Sequence, residues 1–169
     1  MIIRATSKAL KLSGIKPVVH DIFEHNSLPG EWFAGIFSLG KPGKLGTYFV
    51  HQPTKISVLV PGKSLKNTIS KLPERVKGYL QRNGYEQLLP LFHLDTSCVE
   101  IYTTNSRSVL AHMNQIKFNI EYHCFLAETL EQINFDWLED IFFDYLFQTK
   151  DTKGKYTKTK EILSKLLVT

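Results

Sequence analysis

Apolar residues recur along this chain with two different periods, and the places where the period changes mark its elements. Ile2-Ile3-Arg4-Ala5 reads as a short strand, after which Thr6 or Ser7 caps a helix through Leu10 and Leu12 that Gly14 ends. Residues 15–30, punctuated by Pro17, Asn26, Pro29 and Gly30, read as a long surface connection pinned to the core by Val18, Val19, Ile22 and Phe23. Three strands follow: Trp32 to Ser38, Thr47 to His51 and Lys55 to Val60, with turn chemistry at Gly40-Lys41-Pro42-Gly43-Lys44 between the first two, so an antiparallel meander is expected. Pro61-Gly62 stops it. Ser64 then caps a helix whose Leu65, Ile69, Leu72, Val76 and Leu80 form one apolar face, which Pro73 should kink or split and Asn83-Gly84 should end.

Period two returns at Cys98 to Tyr102, with Cys98, Glu100 and Tyr102 on one face of a strand. The pattern then turns helical from about Ser106 to Phe125, where Val109, Met113, Ile116, Ile120 and Cys124 face a core. A last long helix, from Asn134 or Asp136 to Phe147, is apolar on nearly every side, and such a helix is either deeply buried or shared with a partner. Trp137, Ile141, Phe143 and Phe147 are therefore the candidate interface, with a homodimer its simplest form. The order predicts a single α+β domain over residues 1–147: a small, mostly antiparallel sheet of four to five strands, covered on one face by three or four helices. Residues 148–169 read as a Lys-rich linker and a short amphipathic tail that docks onto this chain or another.

A length of 169 residues with 43% hydrophobic and 12% aromatic residues suits one domain with an aromatic-rich core. No apolar run approaches the roughly 20 residues of a membrane span, and no signal-peptide core precedes Lys8 and Lys11. A cytoplasmic protein without membrane contact is expected, with Cys98 and Cys124 as two buried free thiols.

The net charge of +5 conceals a block structure. Residues 41–82 carry nine Lys and Arg against Glu74 alone, residues 83–146 carry ten Asp and Glu against Arg107 and Lys117, and residues 147–169 are again basic. The basic block with the tail can meet a polyanion, Lys63, Lys66, Lys71 and Arg75 being the candidate nucleic-acid contacts. The favoured reading pairs the two blocks internally or leaves them solvated, so nucleic acid stays an alternative.

Several polar groups gather where strand becomes helix. Asn105 and Ser106 are caps, the helix start carries partial positive charge, and Arg107 adds a guanidinium fork. Together with Asn114, seven residues on and hence on the same face, and with His112 as a possible base, they make a candidate anion site. An enzyme acting there on a small anionic substrate is a further alternative. Neither Ser106 nor Ser108 has the glycine-rich elbow of a nucleophile. His20-Asp21 with His25 is the densest histidine group, but no metal-binding spacing accompanies it, and Gly40 to Thr47 lacks the phosphate-loop pattern. Glu139-Asp140 point apart on a helix and make no acid-base dyad. No cofactor and no metal are expected.

The opening Met1-Ile2-Ile3-Arg4-Ala5-Thr6-Ser7-Lys8-Ala9-Leu10, then Glu31-Trp32-Phe33-Ala34, Val60-Pro61-Gly62 and above all Asn105-Ser106-Arg107-Ser108-Val109-Leu110 with Met113-Asn114 resemble a bacterial family of domains of unknown function, over roughly residues 1–125. The resemblance implies a bacterial α+β domain and supplies no activity. The leading expectation is a non-catalytic binding or interaction protein.

Overall fold

The computed structural model describes residues 1–19, 25–148 and 156–168. Strand β1 (Ile2–Ala5) leads to helix α1 (Ser7–Ser13), whose start is capped by the Thr6 hydroxyl and whose end is Gly14 in the left-handed region. The meander follows as β2 (Trp32–Ser38), β3 (Leu45–His51) and β4 (Ser57–Pro61). Pro73 divides the next helical stretch into α2 (Leu65–Ile69) and α3 (Leu72–Arg82), because proline is tolerated only in a helix's first turn. A 3-10 helix (Glu86–Phe92) and β5 (Glu100–Thr103) precede the long α4 (Arg107–Leu126), a 3-10 turn (Leu130–Gln132) and α5 (Phe135–Phe143). The short β6 (Phe147–Gln148) and β7 (Tyr156–Thr157) pair with each other, and α6 (Thr159–Leu166) closes the chain.

The molecule is a single α+β domain built on a five-stranded sheet of order β4-β3-β2-β1-β5. Antiparallel ladders β2–β3 and β3–β4 carry most of the paired residues, while β1 runs parallel to both β2 and β5. Two cross-strand pairs set glycine against an aromatic ring. Gly35 lies opposite Tyr48 and Gly46 opposite Phe37, and a Cβ at either glycine would come within 2.5 Å of the facing ring.

Helices cover both faces of this sheet rather than one. β2 is buried from Trp32 to Phe37, and a strand apolar on both sides requires cover on both. On one face Trp32, Ala34, Ile36, Phe49, Val58 and Val60 meet the helices before β5 together with Leu163 of α6. On the other, Phe33, Phe37, Tyr48, Val50 and Leu59 meet α4 and α5. The tail from residue 148 is thus in its described part docked on this chain: Leu163 is fully buried, the Tyr85 and Ser164 hydroxyls lie 2.8 Å apart, and Thr159 Oγ1 donates to the Lys55 carbonyl.

Both outer strands meet something other than another strand. The Glu139 carboxylate of α5 accepts the outward Leu59 amide of β4 at 2.7 Å, and Val18 N–H donates to the Ile101 carbonyl of β5 at 2.8 Å. Among the described residues no helix is long and apolar enough to cross a membrane.

Candidate interaction surface

Helix α4 starts where expected. Ser106 is extended at its cap and its hydroxyl accepts from Val109 N–H at 3.4 Å, and no proline or glycine interrupts the 20 residues that follow. Val109, Met113, Ile116, Ile120 and Cys124 are buried against the sheet, as their spacing requires. The opposite side of the helix is where the chain departs from an ordinary surface helix. Phe118 is 72% exposed, Tyr122 54% and Phe125 75%, with Leu126 beside them. Next to this stripe the His123 ring stacks edge-on between Tyr122 and the exposed Trp137 of α5, at centroid distances of 5.5 and 5.0 Å. Aromatic side chains therefore run from the C-terminal half of α4 onto α5 without a break.

The candidate anion residues end at the other half of the same helix. Asn105, Arg107 and Asn114 are exposed, Arg107 and Asn114 on the outer face. Ser106 is a buried cap, its Oγ 3.1 Å from Ser108 Oγ. His112 is turned away, its ring 5.3 Å from Phe147. Burial, with Lys55 adding to it, lowers its pKa to about 4, so it is neutral near pH 7, and Nε2 is buried without a hydrogen-bond partner. Cavities of about 800 Å³, between Asp144 and α6, and about 510 Å³, between α3 and the 3-10 helix, have no lining residue from 105–114. The structure brings together one cap, Ser106, and a basic side chain at a helix start, and neither of these two cavities reaches them.

The proposed C-terminal interface changes more. Only Trp137 is exposed. Ile141 is half-buried in the α4 core, Phe143 packs on Tyr79 and Tyr85 at 6.1 and 5.8 Å, and Phe147 is buried against His112. Phe143 and Phe147 are therefore unavailable to a partner. The helix ends at Phe143, and what made it look two-faced is its place between the two cores: Leu138 and Phe142 enter one, Phe143 the other.

Of the candidate nucleic-acid contacts, Lys63, Lys66 and Lys71 are exposed, but Arg75 is not free to meet a phosphate. It forms ion pairs with Asp136 at 2.8 Å and with the fully buried Glu139, which also takes Arg82 at 2.6 Å. The basic and acidic blocks meet at this cluster, and burial nevertheless pushes the Glu139 carboxyl up. A second internal pair was not singled out by sequence. Arg4 and Glu31, both buried, are joined at 2.9 Å, with His25 3.3 Å from the same carboxylate and the Arg4 guanidinium 5.7 Å from the Tyr102 ring. His20 and Asp21 lie outside the described residues. Cys98 is exposed rather than buried, on a strand's approach at the sheet edge, while Cys124 is buried, and both are free thiols.

The aromatic stripe was missed although its signal is in the sequence. Ala111, Gln115, Phe118, Tyr122 and Phe125 are spaced four, three, four and three, a seven-residue repeat running alongside the core positions. A helix with two apolar sides gives no polar face from which to tell inside from outside.

A family model described as Domain of unknown function (DUF6933) matches residues 2–161, reaching beyond residue 125 through α5 and into α6. No curated protein and no solved structure matches the chain.

Proposed function

The chain belongs to this family of domains of unknown function, and from that premise we propose that it is a non-catalytic interaction protein whose working surface is the outer face of α4 together with Trp137. The single observation that carries the reading is the stripe Phe118, Tyr122 and Phe125, each more than half exposed on one side of one helix. With aromatic side chains offering about 150–250 Å² each, these three with Leu126 and Trp137 leave about 600 Å² of largely apolar surface in water. That is at the upper limit of what a soluble monomer exposes in one patch. The free thiols suit a reducing compartment such as the cytoplasm.

Tyr122→p-benzoylphenylalanine tests the reading by photo-cross-linking in growing cells. A discrete adduct is expected at this position and at Phe125, but not at Glu74, an exposed site outside the α4 stripe. Equal labelling at all three positions, or none at any, refutes the docking surface.

A further inference from the structure

We infer that the occupant of this face is a second copy of the chain, the two α4 helices packing antiparallel across a two-fold axis; the inference rests on the reading of that face as a docking surface. Three observations lead there. First, the outward residues Ser108, Ala111, Gln115, Phe118, Tyr122 and Phe125 are all exposed and follow the alternating three- and four-residue step of a helix-pairing seam. A seam of 20 residues is about 30 Å long, and the aromatic patch with the smaller residues of that seam approaches the roughly 800 Å² per partner that a stable pair needs.

Second, the seam is graded in size. Its N-terminal half is small, Ser108 and Ala111, and its C-terminal half is aromatic. In a parallel pair each ring would meet its own copy at one end, and two alanines would leave a gap at the other. The antiparallel pair sets Ser108 under the partner's Phe125, Ala111 under the partner's Tyr122 and Gln115 over the partner's Phe118, so bulk meets space along the whole length. A two-fold axis makes each of these contacts twice.

Third, charge follows the same register. Positions flanking the seam on one side are Arg107, Asn114 and Glu121, the last already accepting from the Ser38 amide of its own chain at 2.8 Å, and beyond Ala127, where the backbone turns extended, the exposed Glu128. The register that matches small to large brings Arg107 to the C-terminal end of the partner's α4, where Glu128 follows, and Asn114 beside the partner's Glu121. Parallel packing would instead set Arg107 against the partner's Arg107. Arg107 and Asn114, which share an exposed face, thus become the rim of a contact.

Light scattering of the purified full chain over a concentration series tests the partner. The mass is expected to rise to twice that of the chain. Phe118→Glu and Phe125→Glu should each hold it at the monomer with unchanged far-UV circular dichroism, since both side chains lie outside the core. Arg107→Glu should raise the dimer Kd about tenfold, and Glu128→Arg in the same chain should restore it. For direction, Ala111→Cys and Tyr122→Cys chains, each carrying Cys98→Ser, should cross-link when mixed and not singly. Self-cross-linking of Ala111→Cys overturns the antiparallel arrangement. A chain that stays monomeric up to about 500 µM, a concentration that would populate even a weak complex, overturns the second copy as occupant, while the cellular photo-adduct at Tyr122 then decides whether the docking surface stands. A dimer indifferent to Phe118→Glu likewise overturns the second copy as occupant of this face.

Discussion

Acid should destabilise this protein earlier than its carboxylates alone would require, because two histidines are folded into sites that refuse a proton. His51 is fully buried between the rings of Trp32 and Phe92, at centroid distances of 4.7 and 5.0 Å, with Nε2 donating to the Pro29 carbonyl and Nδ1 2.8 Å from the Thr54 hydroxyl. Burial lowers its pKa from 6.5 to about 4, the Pro29 hydrogen bond opposing and Lys55 assisting. His112 is lowered to about 4 by burial and Lys55. A folded pKa below the unfolded one means that the unfolded chain binds the proton more tightly. The stability each neutral histidine contributes is therefore present above pH 6.5 and is lost as pH falls towards 4. Between pH 7 and pH 5 the loss is about 2 kcal/mol per histidine and about 4 kcal/mol for both, a large share of the 5–15 kcal/mol of a typical domain. Glu139, raised by burial, works in the opposite direction, so the pair's figure is an upper value. Urea denaturation at pH 7, 6 and 5, followed through the fluorescence of buried Trp32, measures the slope. His112→Gln should remove about half of it, and the His51 ring proton should titrate near pH 4 by NMR. A change below about 1 kcal/mol from pH 7 to pH 5, or a slope untouched by His112→Gln, refutes the reasoning.

Three further outcomes follow from the packing. Glu139→Ala leaves the Leu59 amide without its acceptor and Arg75 and Arg82 with only the partly exposed Asp136 and Asp140, and should cost about 3 kcal/mol in urea denaturation, whereas Lys117→Ala, which removes the partly exposed pair with Glu121 at 3.8 Å, should cost less than about 0.5 kcal/mol. Gly35→Ala, whose new methyl would meet the Tyr48 ring at 2.5 Å, should lower stability by about 1–3 kcal/mol, and Tyr48→Leu in the same chain should recover part of that loss. Arg4→Met leaves Glu31 buried beside only a half-exposed histidine and should destabilise by about 3–5 kcal/mol, while Arg4→Met with Glu31→Leu should be the more stable of the two variants by thermal melting.

Local chemistry was legible and long-range placement was not. The Ser106 cap, the division at Pro73, the meander strands and the inward residues of α4 all follow from neighbours within a turn or a hairpin. Nothing local says that β5 lies parallel beside β1, since the pairing of Ile3 with Ile101 is decided by tertiary contact between distant segments. The same holds for α5. Its apolar surroundings were readable, but whether Phe143 faces a partner or Tyr79 depends on where α3 sits. The candidate site was half legible. Arg107 and Asn114 were placed correctly on one face, and the continuation of that face into Phe118 and Tyr122 was masked by a second apolar side on the same helix. Arg75 looked like one cation among nine in its block until the fold set it against Glu139.

The two contacts at the margins of the sheet have a consequence for how this molecule can meet others. An edge strand normally offers a row of unpaired amides and carbonyls that invites another chain to add a strand, the route to domain swapping and amyloid. Here the Leu59 amide is already taken by a carboxylate from α5, the next outward position is Pro61, which has no amide hydrogen, and on the far side Val18 occupies the Ile101 carbonyl. With these positions on each margin already taken, the addition of a further strand is hindered on both edges, and a contact made by side chains does not have to displace them.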